Sequence, residues 1–554
     1  MIDRRGFLRN TALGFGTAFL ARSSSFAADS GSTIEVLLNE PLGTISPNIY
    51  GHFLEHFGTT IYDGVWVGED STIPNVGGIR KQLIDRLREI KSPVIRWPGG
   101  GFADSYDWKD GIGPRASRPR RTNSYLSNDA HAPAGPQRDD PNRFGTNEFM
   151  RFCQLTGSQP YLTANVRNLP AQDFCRWVEY CNSPAGTSLA EARKAGGATE
   201  PFGVRYWGIG NEQWGYLTAE EYAGEFRRFT SGVPRYGLDL QFIASGPVTD
   251  GWMPEGEWTR QMREWIHKLL EWHPFFSFPY GISLHYYAYN LSRRITNDLT
   301  GYREAMGDAL KFEVVDWYEM LRQSDQVESM INTYWRTMGE QDPDHKVRII
   351  VDEWGVWYRP GTGLGPLNVQ GQAVTLRDAL ASALNLDTFN RHCDKVAMAN
   401  CSFLINAFGS PFYAQGENFV TTPVYHVFQM YAAHQGGQSL RTIFDVPPLQ
   451  YLRDGKRASF WGLNGSASLR DHELTLTVVN PHASEANPAS VVIHGGNVKS
   501  GTVTTLAHKD IHATNTFVNP QEVHPTTADV KGSGSKLNHT FPPASASLLK
   551  LSLT

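Results

Sequence analysis

Eight short apolar runs recur between residues 45 and 410, and most of the gaps between them carry a helical pattern. The runs are "NIYGHF" (48–53), "PVIRW" (93–97), "PYLTANV" (160–166), "VRYWGIG" (204–210), "LQFIASG" (240–246), "GISLHYY" (281–287), "RIIVDEW" (348–354) and "VAMANCSFLIN" (396–406). Stretches such as "IRKQLIDRLREI" (79–90) and "AEEYAGEFRRFTSG" (219–232) separate them, with apolar residues at helical spacing. Each run is apolar almost throughout, as strands covered on both faces of a parallel sheet must be. Eightfold alternation of strand and helix predicts an α/β fold, a (β/α)8 barrel over residues 45–415; a doubly wound sheet alternates in the same way and is the competing arrangement.

The runs share a feature that periodicity does not require: their C-terminal ends are polar. His52 and Glu55, Arg96, Asn165, Asn211 and Glu212, Ser245, His285 and Tyr287, Asp352 and Glu353, and Asn400 and Asn406 stand there. In a barrel these ends converge on the catalytic mouth. The stretch "YWGIGNEQWG" (206–215) ends an apolar strand on Asn211-Glu212, between glycines and tryptophans. A lone carboxylate in dry surroundings costs several kcal/mol or is forced neutral. Trp207 and Trp214 are expected to provide that dryness, and Glu212 reads as a catalytic acid. Glu353 ends the seventh run; strict strand alternation then turns Asp352 toward the helices. Taken singly, each glutamate is as well explained as a surface or salt-bridged residue. Together, at two strand ends, they match glycoside hydrolysis, where one carboxyl must hold a proton and the other must be charged. Asn211 offers an amide to a sugar hydroxyl beside the reacting carbon.

The order of "YGHFLEHFG", "RWPGG", "DGIGPR", "GNEQWG", "LHYY", "DEWGVWY" and "NRHCDKVAMAN" resembles the family 51 glycoside hydrolases, chiefly α-L-arabinofuranosidases, from about residue 35 to the C-terminus. The resemblance implies a barrel joined to a β-sandwich, and hydrolysis with retention of configuration. It implies Glu212 as acid/base and Glu353 as nucleophile. Glu55 and Asn211 would be sugar-hydroxyl ligands, Tyr287 would hydrogen-bond the nucleophile, and Trp357 would line the leaving-group side. The partner it implies is a terminal arabinofuranosyl saccharide of plant origin, with no cofactor, no metal and a homo-oligomeric assembly. Gly101 stands where the family usually has Asn or Cys, and Phe403 where it usually has Gln. Both departures bear on which sugar or aglycone is accepted, and leave another furanoside or a β-glucan open as substrate.

Past residue 420 the texture changes to short alternating runs such as "HELTLTVVNPH" and "ASLLKLSL", which predict a β-sandwich over 420–554. Residues 33–44 have the same texture and are expected to join it. The long connection 111–145 is rich in Pro, Gly and Arg. It reads either as a lid over the leaving-group site or as a solvated excursion or subunit contact. Net charge is −5, which gives no basic footprint for nucleic acid. Five cysteines without C-x-x-C spacing predict neither a disulfide framework nor a zinc site. Residues 1–27, with Arg4-Arg5-Gly6-Phe7-Leu8, a mildly apolar stretch and Ser25-Phe26-Ala27, read as a twin-arginine leader for export, too short to span a membrane.

One motif argues for another class. His52-Phe53-Leu54-Glu55-His56 spells the inverted zinc-protease signature, which requires both histidines on one face of a helix. Glycines on either side leave barely two turns for such a helix. A non-catalytic sugar-binding barrel is the third reading, and the two carboxylates count against it.

Overall fold

The runs become strands that close on themselves, which decides between the two arrangements the alternation allowed. The computed structural model describes residues 31–123, 139–248, 257–271, 279–289, 306–359, 362, 372–530 and 532–554. After β1 (Ser32–Thr44) come the barrel strands β2 (Gly51–Phe53), β3 (Val94–Trp97), β4 (Gln159–Ala164), β5 (Tyr206–Ile209), β6 (Gln241–Ala244), β7 (Gly281–Tyr289), β8 (Arg348–Trp357) and β9 (Val396–Cys401). They pair in chain order, all parallel, and β9 returns to β2 to complete the ring. Val94, Tyr161, Tyr206, Ile243, Ile350 and Met398 fill its interior.

Around the ring lie α1 (Lys81–Glu89), α2 (Thr146–Thr156), α3 (Ala171–Asn182), α4 (Ser188–Ala195), α5 (Ala219–Thr230), α6 (Glu257–Leu270), α7 (Val314–Asp325), α8 (Val327–Gly339) and α9 (Leu376–Arg391), followed by α10 (Pro423–Tyr431). Helix α5 shows why these segments are helical. Thr218 and Glu221 form a capping box at its start, and Tyr222, Ala223, Phe226 and Phe229 bury one stripe against the barrel.

Two runs differ from the sequence reading. In "NIYGHF" only Gly51–Phe53 is strand. Pro47 has its ring-fixed φ in the first turn of a 3-10 helix, and the Ser46 hydroxyl accepts from the Asn48 amide, so the chain turns before it extends. In β8, Ser283 pairs with Ile350 and His285 with Glu353, while on the other side Val351 pairs with Ala399 and Trp354 with Cys401. One extra residue of β8 thus stands against each neighbour, which is a β-bulge. Alternation breaks there, so Asp352 is not turned to the helices. It accepts a hydrogen bond from the Tyr161 hydroxyl at 2.9 Å, inside the barrel.

The C-terminal part is a sheet of β10 (Gln438–Asp445), β11 (Asn464–Arg470), β12 (Glu473–Asn480), β13 (Asn487–His494), β14 (Val498–Ala507), β15 (Pro525–Asp529), β16 (Lys536–Phe541) and β17 (Ser545–Leu553). Its strand order is β15-β14-β17-β12-β11-β10-β1-β13-β16, with β1 antiparallel to β10 and parallel to β13. Ile34, Leu440, Leu476, Val491, Val503 and Leu551 meet in one core, so strands far apart in that order close over each other.

The ends of the 111–145 connection are tied down. Arg121–Thr122 pairs with Asp139–Asp140, Arg118 holds both oxygens of Glu148 at 3.0 Å, and Arg121 holds Asp110. The rest of it, residues 124–138, lies outside the described residues, and the lid reading falls with them. The five cysteines are free thiols. Among the described residues no helix is long and apolar enough to cross a membrane.

Candidate active site

Arg96, at the end of β3, is the hub of the mouth. Its guanidinium is fully buried, donates from Nη1 to Glu353 Oε1 and from Nη2 to Asn211 Oδ1, both at 2.7 Å, and keeps Nε 3.6 Å from Asp352 Oδ2. The bulge in β8 lets two consecutive acidic residues face this one cation. Because Asn211 gives its oxygen to Arg96, its amide nitrogen is left as a donor on the side of Gly100. A Cβ on Gly100 would come within 2.7 Å of Glu353 Oε1, so only glycine lets the loop after β3 pass this close to that carboxylate.

Glu353 is buried on the mouth side of β8. The Tyr287 hydroxyl donates to its Oε2 at 2.6 Å and also lies 3.1 Å from Ser402 Oγ. Burial pushes the Glu353 carboxyl up, but the charges of His285 and Arg96 and the Tyr287 hydrogen bond outweigh it and hold the group below its ordinary range. It is built to stay charged.

Glu212 faces it from the turn after β5. His285 Nδ1 lies 3.1 Å from Glu212 Oε1 and 3.7 Å from Glu353 Oε2, so these two oxygens are no more than about 7 Å apart. Burial draws the His285 pKa down, yet the Glu353 charge and the Glu212 hydrogen bond carry it above its ordinary value. The backbone of Glu212 is left-handed, φ 45° and ψ 42°, a conformation that costs a non-glycine residue about 1 kcal/mol or more and recurs at functional turns. The expected aromatic drying is not what surrounds this carboxyl. Its side chain is 42% exposed, and Trp207 points to the helix layer, packing on Phe174 and Trp177. Trp207 follows Tyr206 on a strand whose interior face Tyr206 occupies, so alternation sends it outward.

Glu55 lies on the other flank of Glu353. Its Oε1 accepts from the amides of Gly100 (3.1 Å) and Phe102 (2.8 Å). Burial and repulsion by Glu353 push its pKa up to about 8 despite these amides. Trp357 ends β8 and stacks on Phe408 at 4.7 Å, with Tyr287 edge-on to it at 5.3 Å. Phe403 joins this aromatic wall, packed on Phe53, Phe57 and Phe408. The six residues expected from the sequence, Glu55, Asn211, Glu212, Tyr287, Glu353 and Trp357, thus form one connected site. The sequence reading placed Arg96 and His285 at strand ends without giving them a role, and it turned Asp352 away.

The zinc-protease reading has no geometric basis. Residues 51–53 are strand, and the two imidazoles are used separately: His56 Nδ1 bonds Asp140 Oδ2 at 2.8 Å, while His52 packs on Phe428. Burial lowers the His52 pKa to about 3.

Two family models match, the α-L-arabinofuranosidase 1 domain over residues 86–287 and the α-L-arabinofuranosidase C-terminal domain over residues 352–545. An intracellular exo-α-L-arabinofuranosidase of Bacteroides ovatus is 32% identical over 97% of this chain and 98% of its own length. The chain belongs to the family 51 α-L-arabinofuranosidases.

Solved structures of the family agree with the fold. The family 51 arabinofuranosidase of Xanthomonas axonopodis pv. citri superposes with a TM-score of 0.83 at 32% identity, covering 94% of this chain and 100% of that one. The arabinose complex of the Thermotoga maritima enzyme gives 0.77 at 28% identity, with the same coverage. The relatives correct one expectation, export. The B. ovatus enzyme and an exo-α-(1→5)-L-arabinofuranosidase of Bacillus subtilis, 25% identical over 92% of this chain and 97% of its own, are both named as intracellular. The leader reading rested on Arg4-Arg5 and a mildly apolar stretch, a few residues set against likeness along almost the whole chain. Residues 1–30 lie outside the described residues.

Proposed function

We propose that this exo-acting α-L-arabinofuranosidase works by double displacement with net retention, with Glu353 as nucleophile and Glu212 as acid/base. The observation that carries the proposal is the pair of carboxylates bridged by His285, one buried and held charged, the other half-exposed at the mouth. In the first step Glu353 attacks the anomeric carbon, the glycosidic C–O bond breaks, and the proton of Glu212 goes to the leaving oxygen. In the second, Glu212 takes a proton from water, the hydroxide bonds to the anomeric carbon, and Glu353 is released. A separation within about 7 Å of the bridged oxygens suits the retaining arrangement, which needs roughly 5–5.5 Å, better than the wide inverting one. Arg96 and Tyr287 keep the nucleophile charged and oriented, and their bonds must weaken as its charge passes to the sugar.

The sugar would lie against Glu55 and the free amide nitrogen of Asn211. At neutral pH a Glu55 carboxyl that keeps its proton both donates to and accepts from a hydroxyl. Trp357 would face the leaving group, and Phe403 would give the pocket an apolar wall where relatives of the family usually present an amide. The substrate is then a terminal arabinofuranosyl group on a plant polysaccharide or oligosaccharide.

Product stereochemistry by NMR with an aryl α-L-arabinofuranoside tests the mechanism, and an inverted first product would refute it. Glu353→Ala should lose essentially all turnover on every substrate. Glu212→Ala should lose about 10²–10⁴-fold on poor leaving groups and far less on activated aryl ones. Equal losses on both would refute the roles. A panel of aryl furanosides and pyranosides tests the sugar, and preference for a pyranoside would refute the furanosidase reading. Phe403→Gln should raise kcat/KM on arabinofuranosides if that wall touches the sugar.

A further inference from the structure

Among the buried carboxyls that the mechanism leaves unused, one stands beside the mouth. Asp104 sits in the 3-10 turn Gly101–Ser105 that follows β3, 2% exposed. Its Oδ2 accepts from the side-chain amide of Gln213 at 2.8 Å. The same amide nitrogen donates to the Asn211 carbonyl at 3.0 Å, so Gln213 bonds both its own turn and the loop that carries Asp104. Glu212 lies between these two residues in sequence, in the left-handed conformation.

The turn that carries Asp104 is fixed on two further sides. Glu55 accepts the Phe102 amide at 2.8 Å, and Asn168, from the loop after β4, donates to the Asp104 carbonyl at 2.7 Å. Gly100, at the head of that turn, lies against Glu353. One short segment therefore touches the nucleophile at one end and the turn of the acid/base at the other.

Given the reading of Glu212 as acid/base, we infer that Asp104 is a positioning residue for Glu212, tying the loop after β3 to the turn after β5 through Gln213 and so setting where the acid stands relative to Glu353. A left-handed glutamate is strained and stays so only where its surroundings fix it. Besides the Asp104–Gln213 bond, the turn is held by the Gln213 amide donating to Ser245 Oγ at 3.1 Å. Arg96 holds it at Asn211, and the Gly215 and Tyr216 amides close it on the Glu212 and Gln213 carbonyls. The Asp104–Gln213 bond adds the tie that comes from the loop after β3, next to the residue that bears on Glu353. Burial pushes the Asp104 carboxyl up to about 8, against the Gln213 amide and Arg167, and an asparagine keeps the oxygen that accepts from Gln213.

The test compares aryl α-L-arabinofuranosides with good and poor leaving groups across the wild type, Glu212→Ala, Asp104→Ala, Asp104→Asn and Gln213→Met. Loss of aim at the acid is expected to mimic loss of the acid. Asp104→Ala and Gln213→Met should lose about tenfold or more in kcat on poor leaving groups and less than about threefold on good ones. Asp104→Asn keeps the acceptor oxygen and should restore near wild-type kinetics on both. Equal losses on the two substrate classes, or none, would overturn the inference while a leaving-group-dependent Glu212→Ala left the assignment of the acid intact. If Glu212→Ala itself showed no leaving-group dependence, the assignment would fail instead. Should Asp104→Ala not fold, Asp104→Val, which fills the site without an acceptor, takes its place, since Gln213→Met also removes the bond to the Asn211 carbonyl.

Discussion

At the scale of single residues, the site divides its charge unevenly among its four buried carboxyls. Arg96 holds Glu353 and lies 3.6 Å from Asp352, whose carboxyl burial still pushes up, whereas Glu55 and Asp104 have no cation in hydrogen-bond contact among the described residues and are pushed up to about 8. This predicts a pH signature of stability. Glu55 releases its proton near 4.5 in the unfolded chain and near 8 in the fold, so its contribution is complete below pH 4.5 and is lost as pH rises to about 8. Glu55→Gln has no such proton to lose. Relative to wild type, this variant should therefore gain stability between pH 4.5 and 8, on the order of a few kcal/mol, as read by thermal or urea unfolding at several pH values. Parallel curves for the two proteins would contradict the prediction. The opposite sign applies to Glu353, whose lowered pKa makes its contribution present above the ordinary glutamate range and lost in acid. These assignments were only partly legible in the sequence. A carboxylate at a strand end is visible there, but its cation partner is not, because Arg96 reaches Glu353 across 257 residues of chain.

At the scale of elements, the barrel was readable because parallel strands buried on both faces must be continuously apolar, and the helices between them must be amphipathic. The misread features are those where one residue changes the period. The bulge in β8 inserts a single position and brings Asp352 inward, and Pro47 converts half of the first run into a turn. Neither follows from hydrophobic pattern, since both depend on which neighbours the strand meets. The turn after β5 makes a testable case. Gly210 has φ 78°, and a Cβ placed there would lie 2.8 Å from Gln213 Cγ. Gly210→Ala meets both backbone strain and a crowded Gln213, and should cost about 1–3 kcal/mol in stability. Because the crowding falls on Gln213, kcat should drop more on poor leaving groups than on good ones. A stability loss with uniform kinetics would mean that Glu212 does not feel this turn.

At the scale of the whole molecule, the barrel and the C-terminal sheet are joined by polar contacts that neither could satisfy alone. Helix α9 is buried over residues 376–390, although it carries Asp378, Asn385, Asp387 and Asn390. A helix enclosed on all sides is ordinarily apolar, so these groups need partners. Asp387 finds them in both parts: Ser466 Oγ and Thr477 Oγ1 from β11 and β12 donate to Oδ1 at 2.7 and 2.5 Å, and the Tyr431 hydroxyl of α10 donates to Oδ2 at 2.9 Å. Asn390 adds a bond to Ser466, and the Trp317 indole of α7 donates to the Pro481 carbonyl at 2.8 Å. The sheet in turn needs β1, which lies between β10 and β13 and precedes the whole barrel in the chain. Unfolding one part therefore strands buried polar groups in the other, and the two should melt together. Calorimetry on the wild type should show a single cooperative transition. Asp387→Ala leaves two hydroxyls of the sheet and one of α10 without their acceptor, so it should cost about 1–3 kcal/mol and lower the midpoint while keeping one transition. Two separated transitions in either protein would show that the contacts across α9 do not couple barrel and sheet. If the coupling holds, kcat should stay near wild type below the midpoint, since the hydrogen-bond partners of Asp387 among the described residues are Ser466, Thr477 and Tyr431, not the residues around Glu212 and Glu353.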